Sequence, residues 1–280
     1  MSGERALLGT GIVIVAVAAL CAVFGPALAP HDPTLASGAV SQPPPPVSDW
    51  PGLFFSHGPS PFWLGTDAAG FDVLSRTIVA ARTDLVIALA ANLTSFAVGV
   101  SLGLVAGFFR NLATETLMRA SDLLQSFPVF ITAMILVALG GRSLGNIVAA
   151  MVLLYAPIYL RLTRAEVLIV KDRGFVEAAR AGGATEWRIA LLHVLPNALR
   201  PALVQSSVTI GFAILLTSGL SFVGAGVRPP TPEWGLMIAN GAGGIVLGDW
   251  WPALVPGIAI SLTVFGFACL GHALERHHDR

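Results

Sequence analysis

The stretch EAARAGGATEWRIALLHVLPN, Glu177 to Asn197, is the most polar part of a strongly apolar chain. Upstream of it, Asp172 can cap a helix that carries Phe175, Val176 and Ala179 on one side and Glu177 and Arg180 on the other. Gly182 and Gly183 then stop that helix, because glycine enters the left-handed conformation at little cost. Thr185 can cap a second short helix, Glu186 to Val194, ending before Pro196. The expected unit is a helix, a glycine turn and a second helix.

Its surroundings set the class. The chain has 280 residues, 55% of them hydrophobic and only 11% charged, where soluble domains carry roughly 25% charge. Six blocks of 18 or more residues contain no Asp, Glu, Lys or Arg: Ala6–Leu28, Leu85–Phe109, Leu123–Gly141, Ser143–Leu160, Pro201–Val227 and Trp250–Leu274. About 20 such residues cross the roughly 30 Å hydrocarbon core, so the sequence predicts an all-α integral membrane protein with six transmembrane helices. With the N-terminus inside and the helices alternating, twelve of the 16 basic residues fall inside, and only Arg76, Arg82, Arg142 and Arg228 outside. The positive-inside rule therefore selects cytoplasmic N- and C-termini and places the 161–200 loop in the cytoplasm. A plain connector there needs only a few residues. Two amphipathic helices with a sharp bend suggest a docking surface for a cytosolic partner.

The remaining organisation follows from punctuation. Residues 1–28 form an N-terminal helix, 29–84 an external segment, 85–274 a core of five helices and 275–280 a tail. Ala27-Leu28-Ala29 has the form of a signal cleavage site, but the preceding run is longer than the roughly 7–15 residues of a signal core, and Pro30 would follow the cut. The expectation is a retained helix. Pro43–Pro46 make a stiff spacer. In Asp72–Thr83, Val73, Leu74, Thr77, Ile78 and Ala81 share one helical face, which fits either a short helix on the outer membrane surface or an extension of the second span. Pro128 falls near the start of the third span, where a helix tolerates it. The 13-residue block from Leu236 to Gly248 is too short to cross and fits a re-entrant or interfacial turn. Cys21 and Cys269 lie inside spans and read as packing residues; His277 and His278 read as a solvated tail.

Glu177-Ala178-Ala179, Gly183 and Leu195-Pro196 together resemble the EAA loop of bacterial ABC importer permeases. LGTDAAGFDVLSRTIVAAR (Leu64–Arg82), LMRASDLLQSFP (Leu117–Pro128) and SFVGAGVRPPTPEWGLM (Ser221–Met237) are similar to the second, C-type permease of the dipeptide/oligopeptide/nickel family. The four blocks stand in order across about residues 60 to 275. Phe71 departs from the family's usual Arg. The resemblance implies a type I ABC importer permease fold in a bacterial inner membrane, pairing with a second homologous permease. It also implies two cytosolic ATPase subunits, which bind ATP and magnesium, and an extracytoplasmic binding protein that delivers peptide, nickel or another solute. The EAA loop is then a coupling helix seated on an ATPase subunit, with Gly183 as its bend.

Other chemistries find less support. The only lysine, Lys171, is followed by Asp172, so there is no Gly-Lys-Ser/Thr phosphate loop, and no cofactor is expected in this chain. The expected spans hold no Asp, Glu, Lys or Arg for ion coupling, and no serine–histidine pair suggests a hydrolase. Nothing points to nucleic acid. For the translocation path, Gln205, Thr209, Thr217 and Ser221 follow a row along the fifth span and Asn92 interrupts the second. Such groups face either a water-filled path or neighbouring helices.

Overall fold

The computed structural model describes residues 2–49 and 61–278. Among these the regular structure is helical, with a single isolated bridge between Thr66 and Asp72. Helices α1 (Ser2–Leu28), α2 (Val73–Phe108), α5 (Leu144–Val170), α9 (Arg200–Phe222) and α11 (Trp251–His278) are long and apolar enough to cross a bilayer. Helices α3 (Leu112–Gln125) and α4 (Val129–Gly140) meet at 96° and make a sixth crossing when taken as one broken span.

That bend corrects the expected unbroken third span over Leu123–Gly141. Pro128 has no N–H and disfavours a helical Phe127 before it, and the Ser126 hydroxyl folds back to donate to the Leu123 carbonyl at 2.7 Å. Leu123 to Gln125 therefore finish α3, whose start is fixed by a reciprocal cap between Asn111 and Thr114. Arg164 on α5 holds α3 through Glu115 at 2.6 Å. Helix α4 alone rises about 18 Å, well short of a bilayer core.

The amphipathic segment before the second span is not a separate surface helix. Helix α2 runs unbroken for 36 residues, about 54 Å, from a start capped by the Asp72 carboxylate accepting the Ser75 N–H at 3.0 Å. Both faces of its first turns are used: Val73, Ala80 and Ala81 are buried, and so is Arg76 on the other side. Nor is the preceding segment a free spacer. Ser37 and Ser41 donate their N–H groups to Gly70 and Asp67, Gln42 and Thr66 exchange bonds, and His31 lies against Asp72. Pro43 to Pro46 have no regular structure.

Lipid tails are as apolar as leucine, so close packing and hydrogen bonds hold the helices together. The tightest seam joins α2 to α5, where Gly99, Gly103 and Gly107 present a smooth stripe every fourth residue. A Cβ on Gly99 would lie 2.4 Å from the Ala156 carbonyl oxygen, and one on Gly103 2.7 Å from that of Leu160. Helix α1 lies across α11 and α2, with Gly11 against Cys269 and Gly25 against Val79; Cys21 and Cys269 are both free thiols. Helix α11 also packs on α9 and on α10 (Trp234–Ala242). Helix α10 continues as a 3-10 turn to Leu247, and its buried side wedges among α2, α9 and α11. Helix α11 continues past Leu274 into the expected tail, with helical backbone to His278.

Candidate functional site

Two regions gather polar chemistry: the loop between α5 and α9, and the opposite face around α10. In the loop, α6 spans Gly174–Ala181. Its N-cap is Arg173, without a side-chain bond, so Asp172 does not cap it. The stop is as the sequence suggests. Gly183 has φ +81°, its N–H donates to the Arg180 carbonyl and that of Ala184 to Ala179, both near 3.0 Å. This is the Schellman closure, which needs a left-handed residue at position 183. A Cβ there would meet nothing within 4 Å. Across the turn Arg180 grips Glu186 through two bonds of 2.8 and 3.0 Å. That pairing holds the Glu186 carboxyl below its ordinary range and raises the arginine.

Thr185 caps α7 (Glu186–Ile189), accepting the Arg188 N–H at 3.4 Å. The second helix does not end before Pro196. It widens into a π-turn over Ala190–Val194, continues as α8 (Leu195–Ala198) and passes into α9 through Leu199, which has helical angles. Proline removes the donor that would close onto Leu192; the wide turn accommodates that loss without breaking the helix.

One side of this hairpin is packed. Val176, Ile189, Ala190, Val194 and Ala198 bury with Leu104, Val167 and Val170, and Ala179 and Leu195 cover the edge. Each fully buried aliphatic contributes about 1.5–3 kcal/mol, so the hairpin is fixed to the ends of α2 and α5. Its other side is bare: Phe175, Trp187, Leu191 and Leu192 are 40, 55, 48 and 61% exposed. Glu177, Ala178, Gly183 and Pro196 are exposed beside them.

The polar row on α9 separates into two clusters. Asn92 donates to Ser206 Oγ at 2.6 Å and accepts from the Tyr159 hydroxyl, while Gln205 donates to Thr209 Oγ1 at 3.4 Å. Through Asn92, Tyr159 and Ser206 this knot ties α2, α5 and α9 together. Thr217 is spent on the Ala213 carbonyl at 2.9 Å, and Ser221 accepts the Val227 N–H at 3.2 Å. The row drifts by about 160° between Gln205 and Ser221. Asn92, Thr209, Thr217 and Ser221 are buried within the chain, and Gln205 is half-buried. Tyr159 and Ser206 escaped the sequence reading: Tyr159 stands at the apolar end of a span, and Ser206, next to Gln205, lies off the row of fours.

On the opposite face, Glu233 caps α10, accepting the N–H groups of Gly235 and Leu236 at 2.9 and 2.7 Å. Burial pushes its carboxyl above the ordinary range, against the lowering pull of those two donors. Trp234 donates its backbone N–H to Asp84 at 3.1 Å and its ring N–H to the Thr77 carbonyl at 2.9 Å. Asp84 and Glu233 are both 0% exposed. The sequence reading missed this pair, since Asp84 stands one residue before the apolar block and Glu233 sits in a proline-rich loop. Beside it lies a cleft of about 400 Å³ lined by Asp67, Phe71, Arg76, Pro229, Pro230, Leu236 and Asn240. At the position of the family's usual arginine, the Phe71 ring sits under Arg76, 4.4 Å from the guanidinium carbon.

Residues 99–280 match the family described as binding-protein-dependent transport system inner membrane component. The chain belongs to this family. Among the permease relatives, the di/tripeptide transport system permease protein DppC of Pseudomonas aeruginosa is 38% identical over 265 residues, covering 95% of this chain and 85% of that protein. The probable D,D-dipeptide permease DdpC of Escherichia coli is 35% identical, with 95% and 85% covered. The glutathione transport system permease protein GsiD of Pectobacterium atrosepticum is 36% identical, with 79% and 73% covered. The fold is that of an ABC importer permease: a chain of the MetNI methionine ABC transporter in inward-facing conformations superposes with a TM-score of 0.54 at 18% identity, over 72% of this chain and 96% of that one. This chain is therefore a multi-pass permease component of an inner-membrane transport system.

Proposed function

We propose that this permease forms half of the translocation path of an ATP-driven importer for short peptides. A second homologous permease completes the path, an extracytoplasmic binding protein delivers the peptide, and two cytosolic ATPase subunits bind ATP and magnesium. The observation that carries this reading is the loop hairpin. One side is bolted to the helix bundle, and the other offers Phe175, Trp187, Leu191 and Leu192 around an open glycine bend. A free apolar rim on a rigid base is suited to a partner's groove. The relatives' names, which include dipeptide, tripeptide and glutathione systems, favour peptide. The test is uptake of a labelled dipeptide into proteoliposomes carrying the complete complex. Uptake should require ATP and the binding protein together; accumulation driven by a proton or sodium gradient without ATP would refute it.

The proposed orientation puts the hairpin and both termini in the cytoplasm, following the charge asymmetry. Single cysteines at Pro45 and Arg180 should then label oppositely, position 45 from outside and position 180 only after the membrane is opened. The reverse pattern would overturn the orientation.

A further inference from the structure

Asp84 and Glu233 are fully buried carboxyls brought together from α2 and the start of α10. The N–H groups they accept, from Trp234 and from Gly235 and Leu236, follow one another along the chain and set the two carboxyls side by side. Asp84 Oδ2 takes the Trp234 N–H, and both Glu233 oxygens take N–H groups from α10. The remaining oxygen, Asp84 Oδ1, is buried and meets no N–H or hydroxyl donor. Ionised carboxylates only accept, so two of them buried side by side repel each other unless one keeps a proton.

The surroundings supply no cation. Arg76 on α2 is turned to the carbonyls of Pro33 and Pro230, while Arg82 on α2 and Arg228 on the connecting loop are exposed. Asp249, before α11, lies near Gly244 and would add only negative charge. The facing parts of α9 and α11 carry no charged residue; Arg200, His272 and Glu275 lie at their far ends. Among the described residues no ion pair reaches either carboxyl.

We infer that Asp84 and Glu233 form a proton-binding site: one proton, carried on Asp84 Oδ1 and donated to Glu233, latches α10 onto α2. Glu233 keeps its charge because the first N–H groups of α10 satisfy it. Asp84 stays neutral because a second buried charge beside it has no counter-ion. The latch bears on the cleft, since Leu236 and Asn240 of α10 line it. Losing the proton sets two buried anions against each other and loosens the start of α10, where Gly235 is wedged so tightly that a Cβ would lie 2.2 Å from the Ser218 carbonyl oxygen. The sign is fixed. A carboxyl that keeps its proton when folded contributes stability in full below about pH 4, its unfolded value, and loses it as pH rises toward its folded value.

The inference rests on the packing of α2 and α10 and is independent of the transported solute. Infrared spectroscopy of the purified importer complex in heavy water tests it. At neutral pH the wild type should show a protonated-carboxyl C=O band that Asp84→Asn removes. The melting temperature of the wild type should fall by several degrees from mildly acidic to alkaline pH, while Asp84→Asn, whose amide permanently mimics the donor, should follow a flatter profile. If Asp84→Asn fails to assemble, alkaline titration of the band in the wild type alone decides. Absence of the band at neutral pH would overturn the proposal. So would stabilisation of the wild type by sodium in its place, or identical pH profiles for wild type and variant.

Discussion

Gly183→Asp is expected to leave the membrane helices folded and the permeases assembled while peptide uptake falls to background. The local cost is small: the left-handed angle at 183 strains a non-glycine residue by about 1 kcal/mol, and aspartate tolerates it better than most. The space around the position is open, so the chain itself has room for the new side chain. The damage falls on the contact. In the proposed complex the bend enters an ATPase groove with Phe175 and Trp187 beside it, and an unpaired carboxylate buried there costs on the order of 3 kcal/mol, about a hundredfold in attachment. Gly183→Ala carries the same backbone strain without the charge and should be milder, as should Glu177→Ala, whose carboxylate is exposed. Co-purification of the ATPase with each variant, followed by uptake, is the measurement. Full retention and normal uptake in Gly183→Asp would reduce the hairpin to a connector.

Gly103→Leu should fail earlier, at folding. Its Cβ would stand 2.7 Å from both the Leu160 carbonyl oxygen and the Thr163 Cβ, and a helix backbone cannot yield as a flexible side chain does. Prising α2 from α5 sacrifices the dispersion contacts along the seam, at about 3 kcal/mol or more. The same helices carry the hairpin's base, Leu104, Val167 and Val170, so separating them also unseats the loop. The assembled complex should be recovered at a small fraction of the wild-type yield and melt markedly lower. Gly9→Leu, at a position with nothing within 4 Å, is the control and should behave as wild type. Equal yields for the two variants would contradict the seam's role.

The sequence carried the helical class and the hairpin's bend because both are written locally: runs without charge for the spans, two glycines and a threonine for the turn. What it hid is partly a matter of local backbone geometry and partly dependent on partners far along the chain. Asp172 looks like a cap, but α6 begins after Arg173. Pro196 reads as a stop only if the preceding turn has ordinary width, and a π-turn removes that condition. The face of Val73 to Ala81 fits a membrane surface or a protein interior equally well; the contacts of Trp234 and Pro230 with α2 decide it. Asp84 and Glu233 are separated by 149 positions in the chain, and no periodicity joins them. The polar row of α9 failed as a single strip because a spacing of four slowly rotates around a helix.

The π-turn has a mechanical consequence. The hairpin has two roots in the bundle, and they differ in stiffness. On the α5 side the chain leaves through Lys171, Asp172 and Arg173, a non-helical elbow. On the α9 side helical angles run from Glu186 through Pro196 and Leu199 to Phe222. A push on Trp187 or Leu191 therefore bends more readily at the elbow, where the helix is broken, and is carried as torque by the continuous helix at the other root. The hairpin works as a crank keyed to a single shaft, α9, whose far end reaches Ser218 and Ser221 against α10. Inserting two glycines after Lys171 would lengthen an elbow where the helix is already broken, whereas inserting them after Ala198 would strip the key from the shaft.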